Sequence, residues 1–171
     1  MRTVAIIPAA GSGSRIGSEI PKQFLPFNGK ELIVYTLEVF QRSTLIDEIV
    51  IATSGTGFER LEEIKLKYGI SKISMVVQGG KERQDSVRAA LRAVNMSFDD
   101  LAAVHDAARA LLPLPVLNTA ILTASEKGSA LVCIRAKDTI AFTENDELEY
   151  IDRNKVLMVQ TPQIFKYGEL M

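Results

Sequence analysis

The chain has 171 residues, 47% hydrophobic and 24% charged, with 11 Gly and 6 Pro, which is the make-up of one globular domain rather than of a disordered, collagen-like or disulfide-stapled chain. Twenty Lys and Arg against 21 Asp and Glu leave a formal charge of −1, so no global basic field draws the protein to nucleic acid or an anionic membrane, and any phosphate ligand has to be held locally. A single cysteine, Cys133, excludes an internal disulfide and a cysteine-rich zinc site; within the apolar run Ala130 to Ile134 it is expected to be a buried thiol, in keeping with a reducing cytoplasm.

Thr3 to Ala9 is a short apolar run closed by turn residues, the pattern of a buried strand. Its apolar core, Val4 to Ile7, is too short for a signal peptide, and no stretch of the chain approaches the ~20 residues of a membrane-spanning helix. A glycine-rich loop follows, then helical spacing at Leu32, Ile33, Leu37 and Phe40, and a second strand over Glu48 to Thr53. Phe58, Leu61 and Ile64 predict the next helix, Lys72 to Val77 a strand, and Val87, Ala90, Leu91 and Val94 a further helix. Strands over Leu101 to His105 and Ala130 to Ile134 bracket a helix marked by Leu117, Ala120, Ile121 and Ala124. Alternation of this kind, with near-continuous apolar strands, predicts an α/β fold: a mostly parallel, Rossmann-like three-layer sheet, with ligands at the carboxyl ends of its strands. Asp138 to Phe142, the turn Glu144-Asn145-Asp146-Glu147 and Leu148 to Asp152 break the rhythm and predict a projecting hairpin. A lone hairpin is marginal in water, so a second subunit is its expected support. Lys166 to Met171 has the pattern of a first helical turn.

The loop Pro8-Ala9-Ala10-Gly11-Ser12-Gly13-Ser14-Arg15-Ile16-Gly17 opens directly from the first strand. Gly11 and Gly13 allow positive φ and carry no Cβ, so amides can close on phosphate oxygens as a nest; the same glycines also suit a plain tight turn. The spacing is neither that of a P-loop nor G-x-G-x-x-G, and the second strand ends Ala52-Thr53-Ser54 without an acidic residue for a cofactor ribose, which disfavours a dehydrogenase. Arg15 within the loop and Lys22 in Pro21-Lys22-Gln23-Phe24-Leu25 add two cations beside it. Transfer at a polyphosphate needs such fixed positive charge, because negative charge builds on the departing pyrophosphate. Gly79-Gly80-Lys81-Glu82-Arg83-Gln84-Asp85-Ser86 leads from a strand into a helix, with Asp85 or Ser86 as its cap. His105-Asp106-Ala107-Ala108-Arg109 follows the fourth strand: a lone His there reads as structural, whereas Asp106 is a natural Mg²⁺ partner beside phosphates. Lys137-Asp138-Thr139 and Asp152-Arg153-Asn154 lie at the base of the hairpin.

The strings PAAGSGSR and PKQFL, with the later G-G-x-x-R-x-x-S, H-D-A-A-R and T-P-Q motifs in order, resemble the methylerythritol-phosphate cytidylyltransferases of non-mevalonate isoprenoid synthesis, within the nucleotidyltransferase superfamily. The resemblance implies that Arg15 and Lys22 stabilise the transition state at the α-phosphorus of CTP. It implies that Ala9, Ala10, Gly11 and Gly13 line the CTP site, and that Gly80 and Ser86 meet cytosine and ribose. Asp106 and Arg109 fall at the substrate and metal centre, with Asp106 the ligand of Mg²⁺ or another divalent cation. Thr139 and the catalytic Arg153 would hold the sugar phosphate from a partner subunit, through a hairpin arm at about 137–158, and Thr161 would add a hydroxyl from the same subunit. Two positions depart from the pattern: several relatives carry aspartate where Lys81 stands, and proline where Ala110 stands. The family continues beyond T-P-Q-x-F with a helix, a strand and a K-V-T lysine, so a C-terminally incomplete single domain over 1–171 is expected.

The expected function is transfer of CMP from CTP to 2-C-methyl-D-erythritol 4-phosphate, in a cytoplasmic homodimer that binds neither nucleic acid nor membrane. The alternatives are a ribitol-5-phosphate cytidylyltransferase, against which the H-D-A-A-R and D-R-N strings weigh, and an inactive nucleotide-binding form.

Overall fold

The computed structural model describes residues 1–11 and 20–171. In chain order it contains β1 (Thr3–Pro8), β2 (Pro26–Phe27), β3 (Lys30–Glu31), α1 (Leu32–Arg42), β4 (Glu48–Thr53), α2 (Gly57–Tyr68), β5 (Ile73–Gln78) and α3 (Arg83–Ala93). There follow β6 (Leu101–Val104), α4 (Leu114–Lys127), β7 (Ser129–Arg135), β8 (Ile140–Glu144), β9 (Glu147–Ile151), β10 (Leu157–Lys166) and the single turn α5 (Tyr167–Leu170).

Six strands form one sheet in the order β5-β4-β1-β6-β10-β7. β1, β4, β5 and β6 pair in parallel, while β10 runs antiparallel to both β6 and β7, so the sheet is mostly parallel as expected. Alternate residues of β1 enter two cores. Ala5 and Ile7 join Leu37 and Phe40 of α1, Leu61 of α2 and Leu117 of α4 on one face; Val4 and Ile6 join Ala90 and Leu91 of α3 on the other. Helices therefore cover both faces of the sheet. Burying each large aliphatic or Phe side chain in these layers contributes roughly 1.5–3 kcal/mol.

β10 has no counterpart among the strands expected from the sequence, in which 161–165 stands out only as a motif. A proline within a run argues against a central strand, because it cannot donate to the ladder. Here the pairing with β7 jumps from Val159 to Gln163, so Pro162 falls in the irregularity and forfeits no ladder bond. β7 at the sheet edge also differs from expectation: Leu131 and Ile134 are half exposed, and Cys133 is partly exposed rather than buried.

β8 and β9 form a separate two-stranded hairpin, Ile140 opposite Ile151 through Glu144 opposite Glu147. Asn145 and Asp146 at its tip both have positive φ, the backbone that a two-residue turn with the strand twist demands. Among the described residues, no helix is long and apolar enough to cross a membrane.

Candidate active site

Because β1, β4, β5 and β6 are parallel, the segments after Pro8, Thr53, Gln78 and Val104 leave the sheet at one end. A cleft of about 430 Å³ opens there, lined by Ala9, Ala10, Gly11, Lys22, Gly80, Arg83, Ser86, Asp106 and Arg109 among others. Eight of the residues singled out in the sequence thus border one space.

The start of the glycine loop is tied down through its carbonyls. Gln23, buried, donates Nε2 to Ala9 O at 2.6 Å and to Gly11 O at 3.3 Å, and Ser54 Oγ donates to Ala10 O at 3.3 Å. The amides of Ala10 and Gly11 have no partner among the described residues, which suits them to donate to phosphate oxygens. Lys22 is exposed on the same rim and makes no ion pair among the described residues. Arg15 and Gly13 lie outside the described residues.

Across the cleft, α3 starts with a capping box: the Glu82 side chain accepts from the Asp85 amide and the Asp85 carboxylate accepts from the Glu82 amide. Gly80 is dictated by space, since a Cβ there would fall 2.3 Å from the Asp85 Cβ. Ser86, 2% exposed, accepts the Gly80 amide at 3.1 Å, so its hydroxyl holds the shape of the turn.

Asp106, just beyond β6, is the electrostatic centre. Arg83 Nε donates to its Oδ1 at 2.8 Å and Arg109 Nε to its Oδ2 at 2.9 Å. Burial by itself would raise the Asp106 carboxyl, but hydrogen bonds and charge from Arg83, then Arg109, outweigh it and hold the group below its ordinary value. Arg109 also bonds Gln160 Oε1. The β10 irregularity brings Gln160 and Thr161 beneath this loop: Thr161 Oγ1 accepts the Asp106 amide at 3.4 Å and lies 2.9 Å from His105 Nδ1. His105 is 1% exposed, and burial lowers its pKa to about 4, leaving the ring neutral.

Thr139 and Arg153 do not border this cleft in their own chain. Both are exposed at the hairpin base, where Arg153 Nη1 donates to Lys137 O at 2.9 Å. Beside the polar cleft lies an apolar cavity of about 730 Å³, walled by Phe27, Tyr35, Val116, Cys133 and Ile134 and sharing Arg109 with it. The smaller cleft is the candidate active site, because the loop amides, the lysine and the two guanidiniums converge there.

Three contributors were not assigned a role from sequence: Arg83, Gln23 and Gln160. Arg83 and Gln23 stand inside quoted motifs, but only the fold shows that the one meets Asp106 and the other the Ala9 carbonyl.

A family model described as 2-C-methyl-D-erythritol 4-phosphate cytidylyltransferase matches residues 3–171. A protein of that name from Geotalea uraniireducens is 39% identical over 98% of this chain and 73% of its own length. The crystal structure of the Francisella tularensis 2-C-methyl-D-erythritol 4-phosphate cytidylyltransferase is 28% identical, covers 99% of this chain and 74% of that one, and superposes with a TM-score of 0.78. The fold alone is supported further by a 4-diphosphocytidyl-2C-methyl-D-erythritol synthase from Anaerococcus prevotii, 24% identical over 98% of this chain and 72% of that one, at a TM-score of 0.84. With four of the five motifs bordering one cleft, the fifth bonded to it through Thr161, and the family model spanning nearly every residue, the chain belongs to the 2-C-methyl-D-erythritol 4-phosphate cytidylyltransferase family.

Proposed function

We propose that this cleft transfers CMP from CTP to 2-C-methyl-D-erythritol 4-phosphate and releases pyrophosphate. The observation that carries the reading is the placement of the Arg83–Asp106–Arg109 array around one space with Lys22 and with the Ala10 and Gly11 amides, which have no partner among the described residues. A phosphate oxygen of the acceptor attacks the α-phosphorus; the new P–O bond forms as the bond to the β-phosphate oxygen breaks, and pyrophosphate leaves with that electron pair. The attacking group is a phosphate monoester with a second pKa near ~6, already largely dianionic at neutral pH, so no general base is required. The protein's task is alignment and charge neutralisation. Lys22 faces the triphosphate, Arg15 shares that role by its place in the loop sequence, and Arg109 and Asp106 organise the acceptor end.

Asp106 suits a divalent cation such as Mg²⁺. Each of its oxygens retains a lone pair after binding one guanidinium, and one carboxylate joined by phosphate oxygens is a donor set that Mg²⁺ accepts. Among the described residues no group of three or more His, Cys, Asp or Glu could form a protein-only cage, so the remaining ligands would come from CTP and water. A cation held there would neutralise charge on the triphosphate.

The hairpin belongs to the same reading. Phe142, Leu148 and Tyr150 stand at least half exposed on an isolated two-stranded sheet, which is marginal without a partner. A second copy of the chain covers it and brings Thr139 and Arg153 to the acceptor phosphate in a cytoplasmic homodimer.

Phosphorus NMR of the protein with CTP, 2-C-methyl-D-erythritol 4-phosphate and Mg²⁺ tests the proposal: a diphosphodiester and free pyrophosphate should form together. Preferred turnover of ribitol 5-phosphate would reassign the acceptor, and CTP binding without pyrophosphate release would make the chain a nucleotide-binding form.

A further inference from the structure

His105 makes contacts at both ring nitrogens, and neither partner belongs to the strand it follows. Nε2 lies 3.3 Å from the Arg109 carbonyl oxygen and Nδ1 lies 2.9 Å from Thr161 Oγ1, while the ring packs against Phe40 at 5.3 Å between centroids. The protonation pattern follows from the partners. A carbonyl oxygen can only accept, so Nε2 carries the hydrogen; in the neutral ring Nδ1 is then bare and accepts the Thr161 hydroxyl hydrogen. Thr161 Oγ1 in turn accepts the Asp106 amide at 3.4 Å. The chain of bonds runs Asp106 N–H to Thr161 O–H to His105 Nδ1, and from Nε2–H to the Arg109 carbonyl. It clamps both ends of the segment that presents the Asp106 and Arg109 side chains. Between those ends, buried Thr36 of α1 donates to the Ala107 carbonyl at 3.0 Å.

We propose that His105, through Thr161 and the Arg109 carbonyl, is a positioning residue that fixes the 105–109 segment so that Asp106 and Arg109 meet the acceptor substrate in a preset geometry. It touches no reacting atom. One consequence concerns Thr161: its hydroxyl hydrogen is committed to the imidazole, so it presents a substrate with an oxygen lone pair, which a polyol hydroxyl can use and a phosphate oxygen cannot. The inference rests on the cytidylyltransferase reading of the cleft for its kinetic consequence, and on the bonds alone for its tautomer.

Two measurements test it separately. The protein has one histidine, so long-range proton–nitrogen NMR reads its ring nitrogens without ambiguity. A protonated Nε2 with a bare Nδ1 whose resonance moves in Thr161→Val is the expected result; an Nδ1-protonated ring, or a Thr161→Val spectrum identical to that of the parent, overturns the clamp even if the protein proves to have another activity. In kinetics, His105→Phe keeps a ring against Phe40 but loses both bonds. The KM for the acceptor should rise about tenfold while the dissociation constant for CTP changes less than twofold, and Thr161→Val should cost less in the His105→Phe background than in the parent, where it also breaks the bond to the imidazole. His105→Asn, which can restore an acceptor near Nδ1, should recover part of the KM. A fall in kcat that merely tracks the folded fraction at unchanged KM, or multiplicative losses in the double variant, would reduce His105 to a core residue. Failure of the parent protein to form product would overturn the transfer reaction and leave the NMR result to decide the clamp.

Discussion

Arg83, in the first turn of α3, and Asp106, beyond the end of β6, are 23 positions apart and meet in a 2.8 Å bond between Nε and Oδ1. The contact links the turn that opens α3 to the segment that follows β6, so the two halves of the cleft share one carboxylate. Arg109 takes the other oxygen at 2.9 Å. Arg83 is about half exposed, and the bare ion pair is therefore worth little as stability. Its value is in geometry.

Arg83→Gln should accordingly leave the melting temperature within a few degrees of the parent. The same change should lower kcat/KM for the acceptor by about ten- to a hundredfold, because Asp106 loses one of its two orienting donors. Steady-state kinetics beside a thermal melt separates the two effects; a large drop in melting temperature with unchanged kinetics would make Arg83 a structural residue.

Lys22 lies on the rim of the cleft without a carboxylate partner among the described residues, and in the proposed reaction it meets the triphosphate. Charge that develops only as pyrophosphate departs gains more from this lysine than bound CTP does. Lys22→Ala should therefore reduce kcat by about a hundredfold or more while CTP affinity falls only a few-fold. Single-turnover rates together with calorimetric CTP titration measure the two quantities independently, and equal losses in both would assign Lys22 to ground-state binding.

What could be read in the sequence depended on how each segment is buried. Glu48 to Thr53 was bounded correctly because an interior parallel strand is apolar on both faces and ends where the chain leaves the sheet. β10 escaped because its partners are long-range and its proline occupies an irregularity that only the paired strand reveals. Cys133 was placed too deep, since an apolar run does not show whether it lies at the centre of a sheet or at its edge. The site residues followed the same division. Lys22 and Asp106 stand in local strings with recognisable chemistry, whereas His105 acquires its role from Thr161, 56 positions away.

The buried imidazole also sets a pH dependence of folding. The folded pKa of His105 is about 4 against 6.5 for the free side chain, so between these values the unfolded chain binds a proton that the folded chain does not. Stability thus increases with pH across that window: it is unaffected by His105 above about pH 7, falls as the pH drops below 6.5, and has lost about 3 kcal/mol by pH 4. Asp106 acts lower. Its folded value lies below 3.8, so its contribution is complete above that pH and disappears as the pH falls through the folded value. Denaturant titrations of the ligand-free protein from pH 8 to pH 4 should show the loss beginning near 6.5, and His105→Phe should flatten the curve over that interval. A flat profile for the parent protein would mean that the ring is protonated in the fold.

The hairpin makes the sharpest prediction, because it turns a proposed site into a property of two chains. Arg153 is exposed at the hairpin base, its guanidinium donating to the Lys137 carbonyl, and does not border the cleft of its own chain, which Lys22 does. If Arg153 serves the neighbouring cleft, Arg153→Ala and Lys22→Ala damage complementary parts of a shared site. Each variant alone should be nearly inactive. In a heterodimer of the two, one cleft receives both defects and the other neither, so one of its two sites is intact. Random exchange of equal amounts makes about half of all dimers mixed, and recovered activity should approach a quarter of the parent value. The measurement is turnover after subunit exchange, with native mass spectrometry confirming that mixed dimers have formed. Mixed dimers without recovered activity would place Arg153 in the service of its own chain, and a protein that remains monomeric at assay concentration would remove the shared site altogether.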